Sequence, residues 1–167
     1  MLKQIIEFLL RILRPLSSNL DRISWVVLFL MMIYTVVDVL ALKVISYSLL
    51  GTVEMTALMM VICIFFSFSQ TELDDGHIRV DFLYNRLSSR TKAIFDFITQ
   101  LTCTILFGFI GWAAVLNGFE KLELSEVTMD LLLPIYPFAF VAAAGCCLTC
   151  LALLTRTLEA LNRLVNP

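Results

Sequence analysis

Charge is what this sequence has least of. Only 16% of its 167 residues are Asp, Glu, Lys or Arg, and 60% are hydrophobic, against roughly 25% and 45–50% in an ordinary soluble domain. That imbalance excludes a water-soluble globular protein and places the chain in the membrane class. Histidine is nearly absent too, with one residue, His77, lying between apolar runs. A haem-carrying membrane anchor needs axial ligands, commonly histidines inside its spans, so that class is disfavoured. No glycine-rich phosphate loop is present, and no serine or cysteine stands beside an evident base. No internal repeat or broken helix marks a transport pathway. Nothing in the chain suggests an enzyme, a bound cofactor, a metal site or a nucleic-acid partner.

What remains is hydrophobic length. A hydrocarbon core about 30 Å thick takes about 20 mainly apolar residues per helix, and four stretches qualify, at about 23–42, 53–70, 93–118 and 131–155. No alternating strand pattern competes, so the expected fold is an all-α membrane protein with four transmembrane helices. Ten of the twelve basic residues fall before span one (Lys3, Arg11, Arg14, Arg22), between spans two and three (Arg79, Arg86, Arg90, Lys92) or after span four (Arg156, Arg163). Only Lys43 and Lys121 lie in the other two loops. The positive-inside rule then puts both termini in the cytoplasm.

Residues 1–20 precede the membrane domain, 21–167. Glu7, Arg11 and Arg14 interrupt any signal-peptide core. Lys3, Glu7, Arg11 and Arg14 recur at spacings of four, four and three, with Leu2, Ile5, Ile6, Leu9, Ile12, Leu13 and Leu16 on other faces. This is the pattern of an amphipathic helix on the inner leaflet, ended or kinked by Pro15.

Several residues could carry chemistry. The cysteines of "CCLTC", Cys146 to Cys150, include a C-x-x-C, but all five cysteines fall within spans, where cysteine serves as a small packing residue. Ala142, Cys146 and Cys150 at spacings of four form a small-residue face that lets helices approach, and Gly108, Gly111 and Gly118 are expected to do the same on span three. Asp38, Glu54 and Asp96 lie in or at the edge of spans, where an acid is a candidate for ion coupling. Each also has a structural reading. Glu54 follows Gly51 and Thr52 in a first helical turn, where the helix dipole favours an anion. Asp96 follows Lys92 by four, and Asp38 has Lys43 as a nearby partner. In the outer loop Glu120, Glu123, Glu126 and Asp130 would share one acidic face if helical, and could dock a soluble partner.

Between spans two and three stands "DDGHIRVDFLYNRL", Asp74 to Leu87. Asp81 can cap a short helix from Phe82, Ser88 or Ser89 can cap span three, and "HIRVD" alternates as an extended segment would. The expected form is a short amphipathic elbow on the inner surface.

"GHIRVDFLYNRL", with Gly76, His77, Ile78, Val80 and Asp81, resembles a motif of the small membrane (Q-type) subunit of TRAP transporters, the tripartite ATP-independent periplasmic systems. "DVLALKVISYSLLGTVE" is similar to that family's passage between spans one and two, matching Asp38, Val39, Gly51 and Glu54. The family often has arginine and proline where this chain has Leu42 and Ser48. The resemblance implies a scaffold subunit in a bacterial inner membrane, supporting sodium-coupled uptake of an organic acid anion. A periplasmic binding protein would deliver the solute, and a large membrane subunit would hold the solute and sodium. Asp38, Glu54, Gly76, His77, Arg79 and Asp81 would then serve folding and assembly. The contrasting reading is a standalone four-helix carrier or channel using Asp38, Glu54 and Asp96.

Overall fold

A computed structural model describes residues 2–74 and 89–165. Four helices account for nearly all of them: α1 (Leu2–Ile45), α2 (Thr52–Leu73), α3 (Ser89–Glu123) and α4 (Tyr136–Val165). Each contains a stretch long and apolar enough to cross a membrane. Even α2, with 22 residues, reaches about 33 Å at 1.5 Å per residue. Its length therefore matches one hydrocarbon thickness.

Three boundaries differ from the sequence expectation. Pro15 does not end a separate N-terminal helix, since α1 runs through it for 44 residues. Ile6 and Leu13 are buried there, and Leu13 shares a small core with Leu73 of α2 and Ala152 of α4, flanked by Leu9, Leu10 and Leu148. That packing carries the helix past the backbone donor proline lacks. At the other end of the chain α4 starts at Tyr136, not near residue 131. Leu131 to Ile135 belong to the α3–α4 loop, where Leu132 takes a positive φ of 53° and Pro134 faces Val127 in an isolated β-bridge. In the same loop the helical acidic face is not formed. α3 stops at Glu123, Ser125 turns the chain at a φ of 49°, and Glu126 and Asp130 lie beyond the helix.

The extensive pairings are α3 with α4, α1 with α2 and α2 with α4, and α1 also touches α4. α2 and α4 thus form the middle, with α1 and α3 on opposite flanks. Small residues set the close approaches. A β-carbon on Gly145 of α4 would fall 2.7 Å from the Phe65 β-carbon of α2, and one on Gly111 of α3 would fall 3.2 Å from that of Cys146. Ala142 and Cys146 are buried in this contact. The small-residue face of α4 therefore packs as its spacing suggests. Gly108 does not join it, because nothing lies within 4 Å of its missing side chain. Edge-to-face rings complete the packing, Phe68 with Phe107 at 5.3 Å and Phe119 with Phe140 at 5.5 Å.

Candidate functional site

At the end of the bundle that carries the α1–α2 and α3–α4 connections, the outer end in the orientation expected from the basic residues, two acids fasten loops. α1 delivers Asp38 two turns before its end, and the 46–51 connection folds back beside it. Asp38 Oδ1 accepts the backbone N–H of Leu49 at 2.7 Å and the hydroxyl of Ser48 at 3.1 Å. Its partners are a backbone amide and a hydroxyl, in place of the expected Lys43 ammonium. Charge-assisted bonds of this kind are the strong ones, and they fix a turn that contains Ser46 at a φ of 54°.

Glu54 does the same for the other outer loop. It lies in the first turn of α2, behind Gly51 as N-cap. Its Oε1 accepts the N–H of Asp130 at 2.9 Å and its Oε2 the N–H of Leu131 at 3.1 Å. Both carboxylate oxygens are thus engaged with the backbone of a segment more than seventy residues away. Gly51 makes the approach possible: its φ is 71°, and a β-carbon there would overlap the Leu131 side chain. The loop is braced further by Thr128 N–H to Leu133 O at 2.9 Å, Leu133 N–H to Thr128 Oγ1 at 3.1 Å and Ile135 N–H to Glu126 O at 3.2 Å. Lys121 pairs with Glu126 at 2.6 Å. Of the four outer acids, Glu120, Glu123 and Asp130 are exposed, while Glu126 is half-buried in its ion pair.

The opposite end, the inner one in that orientation, is fastened by other means. Arg156 of α4 donates through Nη2 to the carbonyls of Leu73 at 2.7 Å and Glu72 at 3.3 Å, capping the last turn of α2, and its Nη1 lies 3.6 Å from Glu159. Carbonyls of a final turn have no partner within their own helix, so a cation there satisfies both hydrogen bonding and the helix dipole. Higher up, Ser69 donates to Ser17 at 2.9 Å, with both side chains fully buried. Thr104 and Thr157 oxygens lie 3.4 Å apart between α3 and α4. The thiols of Cys63 and Cys150 reach the carbonyls of Ser24 and Thr104 at 3.6 and 3.7 Å. All five cysteines are free, and among the described residues no group of His, Cys, Asp and Glu could hold a metal ion.

Asp96 stands in the third turn of α3, toward the inner end, so the three intramembrane acids do not converge. Gly76, His77, Arg79 and Asp81, with the elbow they were expected to form, lie outside the described residues.

Residues 31–163 match the family model for tripartite ATP-independent periplasmic transporters, DctQ component. The chain belongs to the DctQ family. No curated protein and no solved structure matches it. The match begins inside α1 and takes in both loop staples, Gly76 to Asp81, and the Arg156 cap. DctQ is a transporter component family, not an enzyme family, in keeping with side chains that fasten helices and loops. Ser48 is a point of interest in this DctQ chain. Its hydroxyl adds a second donor to Asp38.

Sequence reasoning did not find Arg156, the Ser17–Ser69 pair or the Thr104–Thr157 contact. Arg156 entered it only as an inner-side charge. The one signal was that each serine or threonine falls on the side of its helix that also carries small or apolar packing residues, as Ser17 does four residues after Leu13.

Proposed function

We propose that this DctQ component is the fixed scaffold subunit of a TRAP-type transporter in a bacterial inner membrane, with both termini cytoplasmic. In this reading a periplasmic binding protein delivers an organic acid anion to a large membrane subunit. That subunit holds the solute and the sodium ions, and this chain holds no cofactor. The observation that carries the reading is the use made of Asp38 and Glu54. Both carboxylates are engaged with backbone amides of outer loops, which is what a rigid support requires and a coupling site would have to undo. A standalone carrier would need these acids and Asp96 to line one path, and they stand near opposite ends of the helices.

Two further roles follow. Glu120, Glu123 and Asp130, exposed around the braced outer loop, offer a docking surface for the binding protein, with Glu126 contributing less because Lys121 neutralises it. Gly76, His77, Arg79 and Asp81 serve assembly on the cytoplasmic side.

Co-purification tests the scaffold reading. A large polytopic partner retained in detergent supports it, and transport by this chain alone in liposomes overturns it. Reversing the charge of Glu120, Glu123, Glu126 and Asp130 should lower uptake with purified binding protein; unchanged uptake ends the docking idea. Asp81→Ala should weaken assembly before it alters solute affinity.

A further inference from the structure

Most apolar side chains exposed on this chain lie along the long helices, where lipid or another helix accounts for them. One set does not. In the α3–α4 loop Met129 is 94% exposed and Leu132 69% exposed, beyond the last turn of α3 and before the first of α4. Thr128 and Leu133 exchange hydrogen bonds and Val127 pairs with Pro134, so the segment is a short hairpin with Met129 to Leu132 at its tip. Side chains alternate across it. Thr128 is buried and Leu131 and Leu133 half-buried, whereas Val127, Met129, Leu132 and Pro134 are exposed.

The tip is held rigid. Glu54 accepts the backbone N–H groups of Asp130 and Leu131, and Leu131 packs on Gly51, so a partner meets a surface already in one conformation and little ordering entropy opposes binding. Leu132 carries strain. Its φ of 53° is a conformation that glycine or asparagine takes at lower cost, so the turn by itself does not select a leucine. What the leucine supplies is an apolar side chain in the open. Charge then narrows what covers it. Glu120, Glu123 and Asp130 are exposed nearby, and Lys121, the one base between Gly118 and Tyr136, is tied to Glu126 at 2.6 Å. Asp130 stands between Met129 and Leu132, so a tip dipping into hydrocarbon would carry a carboxylate with it, which the bilayer opposes. An apolar pocket bordered by lysine or arginine accommodates both kinds of side chain.

We propose that Met129 and Leu132 anchor the docking surface, inserting into an apolar, basic-rimmed pocket of a water-soluble protein. The inference rests on the orientation and the binding protein of the scaffold reading, and it moves the weight of docking from the acids to two apolar side chains. In such contacts a central anchor carries most of the binding energy, and rim charges set the rate of encounter.

The test uses the reconstituted transporter with purified, solute-loaded binding protein. Met129→Gln with Leu132→Asn removes the anchor while asparagine keeps the left-handed turn, and protected amides at Asp130 and Leu131 verify an intact hairpin. The binding-protein concentration for half-maximal uptake should rise about ten-fold, and the rise should persist at high salt, where the acids are screened. Met129→Leu should stay near the parent value. Should the pair disturb the turn, Met129→Gln alone serves, because a side chain this exposed supports nothing in the hairpin, and it should give a smaller rise in the same direction. Benzoylphenylalanine placed at 129 should crosslink to the binding protein. An unchanged half-maximal concentration with an intact hairpin overturns the proposal, and so does a crosslink to lipid alone or to the large subunit alone. Failure of the scaffold reading looks different, since this chain would then transport without a large subunit. If reversing the four acids slows uptake and removing the apolar pair does not, docking stands and the proposed anchor is wrong.

Discussion

The two ends of the helices are held by opposite chemistry. At the outer end acids anchored in α1 and α2 accept backbone N–H groups from loops, Asp38 from Leu49 and Glu54 from Asp130 and Leu131. At the inner end a base anchored in α4 donates to backbone carbonyls, Arg156 to Glu72 and Leu73, and neutral hydroxyls join the helices above it. The helix dipole accounts for part of this contrast. Glu54 lies by the N-terminus of α2 and Arg156 by its C-terminus, so each end of that helix meets the charge its dipole favours. The remainder is a difference in what is fixed: at one end loops are tied to helices, and at the other helices are tied to one another.

The sharpest way to break the outer end is Gly51→Val. A β-branched residue there would have to take a left-handed conformation and displace Leu131, at a combined cost of about 3 kcal/mol or more. Thermal unfolding in detergent should fall accordingly, and an unchanged midpoint would mean that the Leu131 contact is not made. Arg156→Ala is the corresponding blow to the inner end, removing charge-assisted bonds to two carbonyls for a loss of about 2 kcal/mol. Its signature should be faster amide exchange in the last turn of α2 with the outer loops unaffected. Glu54→Ala should show the reverse pattern, with roughly ten-fold faster exchange at Asp130 and Leu131 and none at the inner end. Ser17→Ala is the mildest, leaving the Ser69 hydroxyl without its acceptor for about 1 kcal/mol or less. If Ser17→Ala and Ser69→Ala destabilise additively in the double variant, the pair is not coupled.

How much of this the sequence disclosed depends on how local the cause was. Four spans were legible because hydrophobic length is a local property, and the Ala142–Cys146–Cys150 face was legible because its spacing is helical. The start of α4 was not. Leu131, Leu132 and Leu133 prolong the apolar run, and they are held out of the helix by Glu54 and Gly51, which are remote in sequence. Pro15 misled for a related reason. Its local effect is to end or kink a helix, but α1 continues through it, with Leu73 and Ala152 packed against Leu13 beside it. Gly108 had the same spacing credentials as Gly111, yet only packing partners could tell them apart. The outer acids were legible as residues of interest and not as staples, since Asp130 and Leu131 offer Glu54 only backbone atoms, which no side-chain pattern reveals.

On the scaffold reading, Asp38 and Glu54 are staples for the outer loops and take no part in coupling. The most direct measurement is sodium-dependent uptake by the reconstituted transporter carrying Asp38→Asn and Glu54→Gln. Both substitutions keep a carbonyl acceptor while removing the charge. If both acids are staples, the sodium concentration for half-maximal uptake stays unchanged, with faster amide exchange in the 46–51 and 124–135 loops. A large shift in that sodium concentration, with assembly and loop protection intact, would contradict it.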